Sequence, residues 1–120
     1  MVNFSQIASK TLSSCSLMTN RQKVTTDVIL LEHPQYVTIT GFDFAYSIQG
    51  EYAVVELAEY TNKYYPCGMS ITNICRKWLE AYEGDIELAN KDLKQGNGCR
   101  VKLERVRTAK GNQFIKVTVL

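Results

Sequence analysis

The chain has 120 residues, of which 45% are hydrophobic and 22% charged, the composition of an ordinary globular domain. A domain of this length folds without a disulfide or metal staple, and no apolar run approaches the ~20 residues that span a bilayer. These features exclude a disulfide scaffold, a helical membrane protein and a large multidomain enzyme. They favour a protein of the cytoplasm and leave a small enzyme open.

Charge is distributed unevenly along the chain. The net charge is +2, but residues 99–120 hold six basic residues against Glu104 alone, a net charge of +5, whereas the remainder carries −3. A basic segment on an acidic body is typical of a protein that contacts a polyanion. Charged strand faces that simply stay in water would give the same cluster, so charge alone leaves both interpretations open.

The cysteines and the histidine form no metal motif. Cys15, Cys67, Cys75 and Cys99 include no Cys-x-x-Cys pair, and His33 is the only histidine. A structural zinc site needs closely spaced ligands, and a Cys–His nucleophile would depend on that one histidine. We therefore predict reduced thiols, no metal and no cofactor.

The first part of the chain predicts an arm followed by a strand. Residues 1–22 are rich in Ser and Thr, and we interpret them as an N-terminal arm. The arm packs on the core, contacts a neighbouring subunit or stays mobile, and the sequence does not choose among these. Residues 23–31 are rich in β-branched side chains, which favours a strand.

Alternating patterns predict the next strands. Residues 36–46 form a strand in which Gly41 marks a bulge or bend, as at a barrel corner. Residues 52–60 alternate between two faces, and residues 63–67 form a short strand that Pro66 places near an edge.

The period then becomes helical. Apolar side chains recur at helical spacing over residues 71–82, with Ser70 as a cap and Gly84 as the end of the helix. Trp78 lies on the apolar stripe, so we interpret it as a core residue. Residues 85–98 are polar and predict a connector with room for an extra helical turn.

The last segment predicts a hairpin. Residues 100–106 and 113–120 alternate as strands, and residues 107–112 contain a Lys-Gly-Asn turn. The order strand, strand, strand, helix, strand, strand matches an oligonucleotide/oligosaccharide-binding (OB) fold. We therefore predict an all-β protein with one helix, a five-stranded OB-like barrel over residues 23–120 with an N-terminal extension. The main alternative fold is another small α+β sandwich built from the same elements.

The end of the chain resembles a known family. Residues 100–120, with the Lys-Gly-Asn turn, Phe114 and an alternating last strand, are similar to the last hairpin of the small single-stranded-DNA-binding proteins of bacteriophages that prime replication with a terminal protein. The likeness extends more faintly through the helix, residues 62–65 and the strand ending at Tyr46. It implies an OB-fold protein without enzymatic activity that coats and protects displaced strands during phage or plasmid DNA replication in the bacterial cytoplasm.

Single-strand binding without sequence preference needs rings that stack on bases and cations that contact phosphates. OB barrels bind through strands two and three and the adjoining loops. The resemblance assigns stacking to three of the seven tyrosines, although each tyrosine alone is equally compatible with a half-buried sheet position. The last hairpin adds one ring and four cations. The predicted DNA-binding residues are Tyr46, Tyr52, Tyr65, Arg105, Arg107, Lys110, Phe114 and Lys116.

Two other functions stay open at this point. A protein-interaction module or inhibitor on the same barrel would use the tyrosines as interface anchors. A nuclease would need Asp27, Asp43, Glu56 and Glu59 to hold a divalent ion, but these form no tight acidic motif. We predict single-stranded DNA as the partner, with self-association through the arm also open, and no enzymatic activity.

Overall fold

The computed structural model describes residues 16–120, so residues 1–15 of the predicted arm lie outside the described residues. A short 3-10 helix (Ser16–Met18) comes first. The elements that follow are β1 (Gln22–Lys23), α1 (Thr26–Glu32), β2 (Val37–Ser47), β3 (Gly50–Leu57), β4 (Lys63–Pro66), α2 (Met69–Ala81), α3 (Ile86–Gln95), β5 (Cys99–Arg107) and β6 (Gln113–Val119). In the described chain, no helix is long and apolar enough to cross a membrane.

The strands form one six-stranded sheet in the order β1-β4-β3-β2-β5-β6. Among the strands of residues 16–120, only the β1–β4 pair is parallel. The long strand β2 pairs with a different neighbour on each side. Val37, Thr38 and Ile39 pair with β5, and the strand from Ile39 onward pairs with β3. The register shifts between Ile39 and Gly41, which confirms the predicted irregularity at this glycine.

The core lies between the helices and one face of the sheet, which we call the inner face. Ile39 and Phe42 of β2, Val55 of β3 and Val101 of β5 are each at most 1% exposed on this face. The Trp78 ring of α2 packs against Phe42 with ring centroids 5.6 Å apart, so its predicted core position is confirmed. We call the opposite side of the sheet the outer face.

The predicted strand over residues 23–31 is wrong, because most of this segment is helix α1. Thr25 is the N-cap, and its hydroxyl accepts a hydrogen bond from the N–H of Val28. Asp27 in the first turn favours a helix start, and Ile29 is fully buried. β-branched side chains lower helix propensity only slightly, so this cap and the core contact decide the outcome.

The predicted connector over residues 85–98 is also largely helix. Asp85 caps α3 by accepting a hydrogen bond from the N–H of Leu88 at 3.1 Å. The Asn90 amide pairs with the backbone of β2: it accepts from the N–H of Phe42 at 2.7 Å and donates to its C=O at 2.9 Å. α3 therefore supplies hydrogen bonds to β2 beyond the point where β5 ends its pairing.

The two ends of helix α2 differ in how well they match the sequence prediction. Gly68 is the N-cap and makes no side-chain cap hydrogen bond, so the predicted Ser70 cap is wrong and Ser70 lies within the helix. At the other end Gly84 has φ +86° and donates its N–H to the C=O of Leu79 at 2.9 Å. The left-handed residue directly after the C-cap Tyr82 is Glu83, with φ +53°, so Gly84 takes part in the helix end one residue later than a glycine stop would.

The mostly-β class is confirmed, but the numbers of helices and strands in the described chain differ from the predicted one and five. The structure has three α-helices and an open sheet, and within residues 16–120 β4 and β6 do not pair. β1 and α1 stand at this open side. The N–H of Val24 donates to the C=O of Tyr64 at 2.9 Å, the hydroxyls of Thr26 and Tyr65 are 2.7 Å apart, and α1 carries the ion pair to β5 described below.

Gly98 is expected to be intolerant of any side chain. Its φ is +78°, and a Cβ there would lie 2.7 Å from the Ile39 carbonyl oxygen and 2.7 Å from Thr38 Cγ2. Gly84 has a similar φ but open space, so Gly84→Ala costs only the left-handed backbone, ~1–2 kcal/mol. Gly98→Ala should lower the free energy of unfolding in urea by more than this. Equal losses in the two variants would contradict the close approach of β2 and β5.

Candidate nucleic-acid interface

Tyr46 and Tyr52 lie on opposite faces of the sheet. In the β2–β3 pairing, Ala45 is opposite Tyr52 and Tyr46 is opposite Glu51. Because side chains alternate along a strand, Tyr46 points to the inner face with Phe44, and Tyr52 points to the outer face. The structure therefore does not bring these two predicted stacking rings together.

Tyr46 stands beside an acid at the end of the β2–β3 hairpin. Its hydroxyl donates a hydrogen bond to Glu51, and this bond and the charge of Glu51 raise the pKa of Tyr46. Arg76 of α2 contacts the same carboxylate at 3.1 Å. Arg76, whose charge acts on Tyr46, is thus already paired.

Tyr65 is a core residue in this structure. Its ring is only 4% exposed, its hydroxyl lies 2.7 Å from that of Thr26, and burial raises its pKa. A base cannot stack on a ring buried in this way. The adjacent Tyr64 points to the outer face instead and is partly exposed. In this short strand, a shift of the pairing register by one residue would exchange the faces to which the two rings point.

A small second core covers the outer face of β3 and β4. Tyr52 and Tyr64 pack around the fully buried Val54, together with Leu17 and Met18 from the start of the described chain. Tyr52, which the sequence predicts to stack on a base, is therefore partly buried beneath the 3-10 helix and its neighbours.

Carboxylates also lie on that part of the sheet. Glu56 accepts hydrogen bonds from Arg21 at 2.7 Å and contacts Lys94 at 3.2 Å. Burial alone would raise the pKa of Glu56, but Arg21 and Lys94, helped by the Thr40 hydroxyl, lower it, so the group stays ionised. Asp43 projects from β2 beside Val54 on the same face.

The acidic residues considered for a nuclease are dispersed. Asp27 on α1 forms an ion pair with Arg105 of β5, and both oxygens of Glu59 accept hydrogen bonds from Thr38, at 2.8 and 2.9 Å. In the part of the chain that the structure describes, no group of three or more His, Cys, Asp or Glu side chains could hold a metal ion.

The thiols are also unsuited to nucleophilic chemistry. Cys67, Cys75 and Cys99 are free, and burial raises the pKa of each, that of Cys75 to about 12. They are therefore protonated at neutral pH, whereas the thiolate is the nucleophile. Cys15 lies outside the described residues.

The β5–β6 hairpin carries several exposed cations. Arg105 is paired with Asp27, and Lys102 contacts Glu104 at 3.3 Å. The other predicted cations, Arg107, Lys110 and Lys116, are exposed and have no ion-pair partner within the described chain. Phe114 is 49% exposed. The hairpin therefore presents free positive charge beside an accessible aromatic ring.

Register divides the hairpin side chains between the faces. Val106 is opposite Phe114 and Glu104 is opposite Lys116, which places Phe114 and Lys116 on the outer face. Arg105 and Arg107 alternate to the inner side, beyond the last buried residue of β5, Leu103. The structure thus groups five of the predicted residues on one hairpin, namely Arg105, Arg107, Lys110, Phe114 and Lys116.

An apolar groove of about 320 Å³ runs between β6 and the β4–α2 junction. Phe114, Ile115 and Val117 line one side, and Tyr65 and Met69 line the other. Among the described residues no Asp, Glu, Lys, Arg or His lines it, so this groove holds no acid–base pair for catalysis.

The sequence reasoning missed Tyr36 and Arg100. The guanidinium of Arg100 lies over the Tyr36 ring, 4.8 Å from its centroid, at the base of the basic hairpin. The signal available in the sequence was weak, because the contact joins two strands whose pairing register the sequence does not show.

Comparison of the chain with protein families, with curated proteins and with solved structures finds no match. The resemblance to phage single-strand binders therefore stays a prediction.

Replacing Tyr65 should affect folding. Tyr65→Ala removes a buried ring and should lower the free energy of unfolding by ~3–5 kcal/mol, the usual cost of deleting a core aromatic. Tyr65→Phe should lose only ~0.5–1.5 kcal/mol, the contribution of its hydrogen bond to Thr26. Urea unfolding followed by circular dichroism measures both. A Tyr65→Ala protein as stable as the wild type would contradict the core position.

Proposed function

We propose that this protein binds single-stranded DNA without sequence preference and coats displaced strands during phage or plasmid replication in the bacterial cytoplasm. The observation that carries the proposal is the β5–β6 hairpin, where Arg107, Lys110 and Lys116 are exposed without ion-pair partners beside the exposed ring of Phe114. Cations that contact phosphates and rings that stack on bases are the two components of such binding.

The sheet supports this proposal through its order. Strands β4-β3-β2-β5-β6 share a bent central strand, and α2 joins β4 to β5. We interpret this arrangement as an OB-like barrel that is open between β4 and β6, with β1 and α1 in the gap. OB folds are partly open five-stranded barrels that recur in oligonucleotide binding.

The binding chemistry follows from the exposed groups. Each cation that neutralises a phosphate releases counterions, so affinity should fall as salt rises. Phosphates are present in every sequence and each base has a π-face, so neither contact discriminates among bases. Of the predicted rings, Phe114 is the most accessible, whereas Tyr65 is buried and Tyr52 is partly covered.

A second candidate function is protein interaction by strand addition. β6 is an edge strand of the described sheet, and none of its residues is buried. Such an edge can pair with an extended peptide from a partner. Anisotropy of labelled oligo-dT separates the two functions, because a protein-interaction module would leave the oligonucleotide free at all protein concentrations.

The salt dependence of binding tests the role of the hairpin. Arg107→Ala combined with Lys110→Ala should flatten the slope of log affinity against log salt by about 1.4, because each phosphate contact on a single strand contributes roughly 0.7. Affinity should fall for oligo-dT and for mixed sequences alike.

The matched control removes the same charge from the helices, through Lys77→Ala combined with Lys91→Ala, both exposed positions. This variant should keep the wild-type slope. A slope unchanged in the hairpin variant, or equally flattened in both, would mean that Arg107 and Lys110 make no direct phosphate contacts.

A further inference from the structure

We propose that the single strand runs along the outer face of β5 and β6, and not across β3 and β4 where OB barrels usually bind. Tyr36 and Phe114 are the stacking platforms at the two ends of this track. The inference rests on the proposed function and specifies where the DNA lies.

The pairing register collects the track on one face. Arg100 lies opposite Thr38 on the outer face. Every second residue of β5 after it points to the same face, as do the residues of β6 that pair with them. We call this set the outer strip. It consists of Arg100, Lys102, Glu104 and Val106 from β5 and Phe114, Lys116 and Thr118 from β6.

One end of the outer strip meets a ring that is held in place. The guanidinium of Arg100 stacks over the Tyr36 ring at 4.8 Å from its centroid. In this geometry the edge N–H groups of the guanidinium stay available to a phosphate. Tyr36 also borders a groove of about 420 Å³, whose walls include Gln35 and His33. Two acids, Glu32 and Glu59, line it as well; Glu32 accepts a hydrogen bond from the Tyr60 hydroxyl, and Glu59 accepts two from Thr38. A base stacked on Tyr36 therefore has space and polar partners beside it.

The other end is Phe114, which is 49% exposed. It lies opposite Val106, six residues along β5 from the Arg100 that stacks on Tyr36, so Arg100 and Phe114 are roughly 20 Å apart along the strand at ~3.3 Å per residue. Lys102, opposite Thr118, and the exposed Lys116 lie between them. A single strand that stacks on both rings thus passes over these cations.

The outer face of β3 and β4 is less suitable on two counts. Leu17 and Met18 pack over Val54 there, so binding would first have to displace them. Glu56 adds a carboxylate whose partner Arg21 would also be disturbed. The outer strip, by contrast, has accessible cations: the side chain of Lys102 is 42% exposed.

Glu104 is the one acid in the outer strip. It lies opposite Lys116 and contacts Lys102 at 3.3 Å, so it reduces the charge that both lysines offer to phosphates. Removal of this carboxylate should strengthen binding. Such a gain is diagnostic, because a misfolded variant does not bind more tightly.

The first experiment compares rings. Affinity for labelled oligo-dT is measured by anisotropy for Tyr36→Ala, Phe114→Ala and Tyr52→Ala, with urea unfolding as the check on folding. Tyr36→Ala and Phe114→Ala should each weaken binding about five-fold or more, the loss of one base stack. Tyr36→Phe should keep the affinity because stacking needs the ring alone. Tyr52→Ala should bind as the wild type does.

The second experiment compares acids. Glu104→Gln should bind oligo-dT at least about two-fold more tightly, with the larger gain at low salt where charges are less screened. Glu80→Gln, which removes an exposed carboxylate from α2, should leave affinity unchanged.

The outcomes separate this inference from the proposed function. Unchanged affinity in Tyr36→Ala or Phe114→Ala, a loss in Tyr52→Ala, or no gain in Glu104→Gln would overturn the track while single-strand binding itself stands. A wild-type protein that binds no oligo-dT would overturn both.

Discussion

Every backbone N–H and C=O group in a buried strand needs a hydrogen-bond partner, and β2 meets this requirement with different partners along its length. Its first residues pair with β5, and beyond the register shift near Gly41 the strand pairs with β3. On the side that β5 leaves, Asn90 of α3 bonds both backbone groups of Phe42. Because β5 departs from the sheet early, the hairpin that it forms with β6 is attached to β2 only at one end. Gly98 permits the close approach of the chain to β2 where β5 begins, because it has no side chain.

The distribution of charge follows from this architecture. Val101 and Leu103 anchor β5 in the core, and beyond them the hairpin buries no residue. Its cations therefore stay accessible, except where Asp27 of α1 holds Arg105 and Glu104 holds Lys102. On the other half of the sheet, Leu17 and Met18 cover the outer face, and Arg21 and Lys94 neutralise Glu56. The molecule is thus divided into a compact part, where Glu56 is neutralised, and a basic hairpin, and this division supports binding of a polyanion along the hairpin.

The strong periodic patterns predicted their elements well. The strands before and after the central helix, the irregularity at Gly41 and the inward position of Trp78 could all be derived from local sequence. Helix α1 could not be derived in this way, because the Thr25 cap and the burial of Ile29 outweigh a β-branched composition that favours a strand. The failure at Tyr65 has a different cause: two adjacent tyrosines in a short strand must point to opposite faces, and only the tertiary pairing with β3 decides which one is buried. The contact between Tyr36 and Arg100 depends on strand pairing in the same way.

Backbone amide chemical shifts, recorded while oligo-dT is titrated into the protein, test the central claim most directly because they report every part of the surface at once. The account predicts that the largest changes follow the outer strip, from Tyr36 and Arg100 at one end to Phe114 at the other. The region around Leu17 and Tyr52 should be nearly unaffected. Changes concentrated on that region, with the β5–β6 hairpin unperturbed, would contradict the account.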